Sequence, residues 1–139
     1  MTQKKMTINR EDVVQDFHEK FNAPVNTEWN TEVFSLRIDL LAEEMKELVD
    51  AMSDVAFQPY EGCEAAMLKE MADVQVVLSG LAVTLGLDLD EAFTRVMESN
   101  MSKLGDDGKP ILRDDGKILK GPNYKEPDLS DLVGEQNNE

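Results

Sequence analysis

An all-α fold, a four- to five-helix bundle with a short irregular or hairpin C-terminal appendage, follows from three features of the sequence. The apolar residues are mainly Leu, Val, Ala and Met, eight of the last, and aromatic residues make up only 6% of the chain. That is the vocabulary of helices more than of sheets. The apolar residues recur every three or four positions over long stretches, the period of one helix face. Only past Gly105 does this pattern give way to short apolar runs beside Asp-Gly pairs.

The first helix is predicted from about Asn9, a favourable cap, to Phe21, with Val13, Val14, Phe17 and Phe21 on one side. Asn22 to Asn30 reads as a loop by its Asn and Pro content. From Thr31 the residues Phe34, Ile38, Leu41, Met45, Leu48 and Met52 recur at helical spacing, and no Gly or Pro interrupts before Pro59. Gln58 to Gly62 breaks this helix, and Glu64 to Leu85 forms the next through Met67, Met71, Val74, Val77, Leu78 and Leu81, closed by Gly86. Asp88 with Glu91 makes a capping-box-like start for a fourth helix running to about Leu104. The bundle thus spans about residues 9–104 of a single domain covering 1–139. The appendage, 105–130, holds DDGKPIL (Asp106 to Leu112) and DDGKIL (Asp114 to Leu119), which suggest a small hairpin. They lack the ligand spacing of an EF-hand. A polar tail, 131–139, is expected to fray.

In 139 residues, 29 Asp and Glu face 14 Lys and Arg, a formal net charge of −15. Polymeric nucleic acid and anionic membrane surfaces are poor partners for such a chain, because both are bound through clustered basic residues. An anionic ligand such as a nucleotide would need a cation to offset the repulsion, and surplus carboxylates are what hold one. The polar start, Met1 to Val14, has no signal-like apolar run, and the most apolar stretch, Val74 to Leu87, is too short to span a bilayer. Cys63, the single cysteine, fits a reducing compartment and reads as a small packed residue. A cytoplasmic location is expected.

The second helix carries Glu43, Glu44 and Glu47, and the third carries Glu70 and Asp73. At about 100° per residue, Leu40, Leu41, Leu48 and Ala51 fall within about 60° of Glu44, with Glu47 at the edge of that stripe. Cys63, Ala66, Met67, Val74, Val77 and Leu81 flank Glu70 in the same way, with Asp73 at the edge. Both helices therefore set a carboxylate pair, i and i+3, into an apolar face. Three outcomes compete for such acids. A solvated acidic face is the ordinary one, but it is disfavoured by the apolar flanks. A salt bridge to Arg37, about 20° from Glu44 and two turns earlier, is the second. A hard-oxygen cage for Mg²⁺, or Mn²⁺ in its place, is the third. A di-iron centre is the weaker metal reading, because the sole histidine, His18, is not in a Glu-x-x-His motif. On the fourth helix Asn100 shares a face with Phe93, Val96, Met97 and Leu104, with Lys103 at its edge.

EExxE (Glu43, Glu44, Glu47), 22 residues, then ExxD (Glu70, Asp73), followed by DVQVVLSGLAVTLGLD and a helix ending ESNMSKL, resembles the all-α nucleoside triphosphate pyrophosphohydrolases. That superfamily includes MazG, the dimeric dUTPases and phosphoribosyl-ATP pyrophosphohydrolase. The single-domain MazG-like, phosphoribosyl-ATP pyrophosphohydrolase-like proteins also share a start like DFHEKFNAPVN (Asp16 to Asn26) and an end like Ser99 to Leu129, so the likeness covers roughly residues 13–130. It implies Mg²⁺-dependent cleavage of the α–β phosphoanhydride of nucleoside or deoxynucleoside triphosphates, giving a nucleoside monophosphate and pyrophosphate. Glu44, Glu47, Glu70 and Asp73 would bind metal, and Glu43 and Glu44 are the candidates for activating water. Asn100 and Lys103 would contact the nucleotide. His18 and Phe21 could meet its base, but with Trp29 they read first as a staple fastening the first helix. The resemblance also implies a homodimer or homotetramer, consistent with apolar residues off the main stripes at Leu36, Val49, Met71 and Met101. Two alternatives stay open: phosphoribosyl-ATP as substrate, and a non-catalytic helical oligomer holding a structural cation.

Overall fold

The computed structural model describes residues 8–133. The all-α expectation holds: four helices carry most of these residues, namely α1 (Arg10–Lys20), α2 (Thr31–Phe57), α3 (Cys63–Leu85) and α4 (Leu89–Met101). Among the described residues the only strands are two of two residues each, β1 (Ile111–Leu112) and β2 (Ile118–Leu119). The chain groups into two compact units, one ending at Leu87 and the other beginning at Asp88. No single helix among the described residues is long and apolar enough to cross a membrane.

In the first unit α3 packs against both α1 and α2. Its helix ends follow local chemistry. The Asn9 side chain accepts from the Asp12 N–H at 3.0 Å, and the Asn30 side chain from the Val33 N–H at 2.9 Å, satisfying donors that a first turn leaves unpaired. Pro59 follows the end of α2 and denies it a further donor. Gly86 closes α3 at φ +69°, a conformation that penalises a side chain.

The loop between α1 and α2 has a task that its composition does not reveal. Asn26 and Thr27 donate their N–H groups to Val83 O (2.9 Å) and Thr84 O (2.8 Å), and Trp29 Nε1 donates to Leu85 O (2.9 Å). The last carbonyls of α3, which lack partners within the helix, are thereby satisfied from a segment 56 or more residues earlier. Trp29 also meets Phe34 edge-on, with ring centroids 5.9 Å apart, so this aromatic fastens the unit.

Among the described residues Val14, Cys63, Ala82, Val83 and Leu85 are the buried apolar side chains, and Arg37, His18, Ser79 and Thr84 are buried with them. Gly80 makes room for two of these. A Cβ at Gly80 would lie 2.7 Å from an Arg37 guanidinium nitrogen and 3.0 Å from His18 Nε2. Because Arg37 is buried, its guanidinium has little room to retreat. G80A is therefore expected to lower stability by about 1–3 kcal/mol, the usual cost of overpacking, measurable as a lower urea midpoint with an unchanged slope.

In the second unit the Asp88 side chain caps α4 by accepting from Glu91 N–H at 3.0 Å. The helix stops at Met101, three residues short of the expected Leu104. The Ser102 hydroxyl donates to Ser99 O (2.6 Å) and accepts from Lys125 N–H (2.9 Å), drawing the returning chain onto the helix end. Gly121 lies against the Lys103 and Leu104 carbonyls, where a Cβ would come within 2.7 Å of each oxygen. The expected hairpin forms, with Ile111 opposite Leu119 and Leu112 opposite Ile118, and Gly116 takes φ +88° in its turn. Ser99 then donates to Lys125 O at 2.7 Å, and Arg95 binds Glu91 and both oxygens of Asp131. The Arg95 bonds hold the Asp131 carboxyl below the usual range. At the start of the polar end, Asp131 and Leu132 join Ser130 in one 3-10 turn, and residues 134–139 lie outside the described residues, as do Met1 to Thr7 at the other end.

Candidate metal centre

Antiparallel packing of α2 on α3 decides which side chains meet. Arg37, near the start of α2, reaches Thr84 near the end of α3, its guanidinium donating to the hydroxyl at 3.4 Å. Two turns further along α2, Glu44 and Glu47 meet Glu70 and Asp73 from the early half of α3. One carboxylate oxygen from each of these four residues lies within 4.8 Å of the others. The stripe geometry thus brings together the four acids taken as metal ligands. Arg37 makes no ion pair with Glu44 among the described residues: its guanidinium reaches Thr84 instead, and its buried Nε has no partner.

Three of the four acids are half-buried, and Glu47 is exposed. Among the described residues, one buried oxygen of Glu44 (Oε2) and one of Glu70 (Oε2) have no hydrogen-bond partner. A buried carboxylate oxygen without a donor is costly, and several sharing a site oppose one another's ionisation. The Glu44 carboxyl is accordingly pushed above its ordinary value, first by desolvation and then by Glu47, Asp73 and Glu70. A small divalent cation relieves both penalties, and an all-oxygen set from two rigid helices suits Mg²⁺ or Mn²⁺.

Glu43, the remaining acid of EExxE, is exposed and lies outside the four. His18 is 3% exposed, with Nδ1 2.9 Å from Pro24 O, whereas Phe21 is 70% exposed and leans at a tilt on Phe17 with centroids 4.8 Å apart. Asn100 and Lys103 belong to the second unit, Asn100 exposed and Lys103 half-buried. One residue at the cluster escaped the sequence reading. Lys69 lies 2.7 Å from Asp73 and 3.5 Å from Glu70. Attention to cations inside the two motifs finds Lys46, which pairs with Asp50 instead. Lys69 precedes its motif by one residue, and its i, i+4 relation to Asp73 was the available signal.

The family model for phosphoribosyl-ATP pyrophosphohydrolase matches residues 14–100, more than half of the chain. The chain belongs to this family. Phosphoribosyl-ATP pyrophosphohydrolase membership makes it a hydrolase of the pyrophosphohydrolase type within the MazG-like all-α superfamily, as the two acidic motifs suggested. The match encloses all four clustered acids and ends at Asn100, so Lys103 and the hairpin lie beyond it. Compared with curated proteins one at a time, the chain has no match.

Proposed function

We propose that this family member is a Mg²⁺-dependent nucleotide pyrophosphohydrolase, with Mn²⁺ able to substitute, cleaving nucleoside or deoxynucleoside triphosphates between the α and β phosphates. The observation that carries the reading is the set of four carboxylates within 4.8 Å, two of them with an orphaned buried oxygen. The cation would be held by Glu44, Glu47, Glu70 and Asp73, and it would supply neutralisation of phosphate charge and acidification of water. In the reaction a water oxygen bonds to phosphorus, the α–β bridging bond breaks, and the nucleoside monophosphate and pyrophosphate separate. The water's proton passes to a carboxylate, for which Glu44 and its neighbour Glu43 are the candidates. Asn100 and Lys103 are assigned to the nucleotide by their motif positions. Contact with the base falls to exposed Phe21 more readily than to His18, whose Nδ1 is engaged with Pro24.

A homodimer or homotetramer is part of the same proposal. Leu36, Val49, Met71 and Met101 are all exposed in the single chain, and association of copies would cover them. A cytoplasmic setting accords with the one buried thiol, Cys63. Phosphoribosyl-ATP is the second substrate reading, favoured by the family description itself. A panel of NTPs, dNTPs and phosphoribosyl-ATP, assayed for pyrophosphate release with and without Mg²⁺, separates the two. Turnover confined to phosphoribosyl-ATP would select the second reading, and turnover of none would reject both.

A further inference from the structure

We propose that Lys69 is a tethered counter-ion of the metal centre, one that yields Asp73 to an incoming divalent cation and then binds the phosphates of the substrate. The inference rests on the metal-dependent reading above and adds a binding residue to it. Four carboxylates converge from α2 and α3, and among the described residues Lys69 is the cation that reaches them, bridging Asp73 at 2.7 Å and Glu70 at 3.5 Å. Lys46, on the facing helix, is turned away to Asp50.

Exposure distinguishes the Lys69 contacts from an ordinary surface pair. The Lys69 side chain is 66% exposed while Glu70 and Asp73 are 18% and 34% exposed, so the ammonium reaches inward from the solvent side and sits at the mouth of the cluster. The other i, i+4 pairs of Lys with Asp, Lys20 with Asp16 and Lys46 with Asp50, join two side chains that are both more than half exposed. An ammonium cannot fill the cluster, since the buried oxygens Glu44 Oε2 and Glu70 Oε2 stay without partners. A divalent ion seated among the four carboxylates would draw on the Asp73 carboxylate that Lys69 now holds. Lysine is a compact charge on a flexible four-carbon stem, so the released ammonium would stay at the mouth. The phosphate chain of a nucleotide bound to the ion must pass that mouth.

Two measurements without turnover test this, using K69M, K69R and the wild-type protein. Titration of Mn²⁺ alone reads competition: K69M is expected to bind about two- to five-fold tighter than wild type, the scale of one exposed charge pair. Titration of inorganic pyrophosphate at saturating Mg²⁺ reads the second role: K69M should bind about three- to ten-fold more weakly, and K69R should recover most of that loss. Wild-type values for K69M in either titration would overturn the proposal. If wild type binds Mn²⁺ and K69M merely equals it, the metal reading survives and this proposal fails. If wild type binds no Mn²⁺, both fall.

Discussion

E70Q is expected to lose pyrophosphate release by about 100-fold or more while eluting at the wild-type oligomer size. Even partners outside a metal's ligand shell typically cost about 10- to 100-fold when removed, and Glu70 is proposed as a ligand. The amide keeps the shape of the side chain but removes a charge, and it replaces a carboxylate oxygen of the proposed ligand set with an N–H donor that repels a cation. E44Q should lose activity to at least the same degree, because Glu44 is both a proposed ligand and a proposed proton acceptor. E47Q should be milder, since Glu47 is exposed and water can take over its coordination. Pyrophosphate release and gel filtration on the three variants check this order. Loss of assembly with E70Q would favour the rival reading of a structural cation in a non-catalytic oligomer.

The second large effect is on stability. Free Mg²⁺ or Mn²⁺ at about one hundred times its Kd should stabilise the folded protein by about 2.7 kcal/mol. For a chain of this size that is a Tm rise of about 10 °C. The effect depends on pH with a definite sign. Glu44 has a raised carboxyl pKa in the folded protein, so the folded state binds protons more tightly than the unfolded one at this position. Its contribution to metal-free stability is full below the ordinary carboxylate value near 4.5 and is lost as pH rises through the raised folded value. The cation competes with that proton, so the metal-induced Tm rise should be small at the acid end of this window and grow toward neutrality. E44Q should melt higher than wild type without metal at neutral pH, because a buried charge and its repulsions are gone, and it should show little response to metal. Differential scanning calorimetry across pH, with and without Mn²⁺, measures each of these.

Local chemistry explains which parts of the fold were legible in the sequence. The Asn9 and Asp88 caps and the Gly86 stop are contained within a few residues, and each forms as expected. The end of α4 is not local: Ser102 accepts from Lys125, and the Leu104 carbonyl lies against Gly121, partners that spacing along one helix cannot reveal. The loop before α2 likewise reads only as Asn- and Pro-rich until α3 arrives to receive its donors. At the site, angular position on α2 and α3 was sufficient to select four acids that converge, since an apolar stripe on each helix orients the pair. Angle alone could not rank Arg37 against a metal. Arg37 shares the stripe with Glu44, and only the antiparallel register of α3 shows that Thr84, not a carboxylate, awaits it. Lys69 was missed for the opposite reason, because it lies off the stripe and acts through the length of its side chain.

The central claim is that Glu44, Glu47, Glu70 and Asp73 hold a divalent cation together. A crystal of the protein grown with Mn²⁺, measured for anomalous scattering, tests it most directly. The account predicts a Mn²⁺ peak within coordination distance, about 2.0–2.3 Å, of oxygens from the four residues, with Lys69 Nζ withdrawn from Asp73. Density only elsewhere in the molecule, or Lys69 still bridging Asp73 and Glu70 with no peak among the four carboxylates at saturating Mn²⁺, would contradict it.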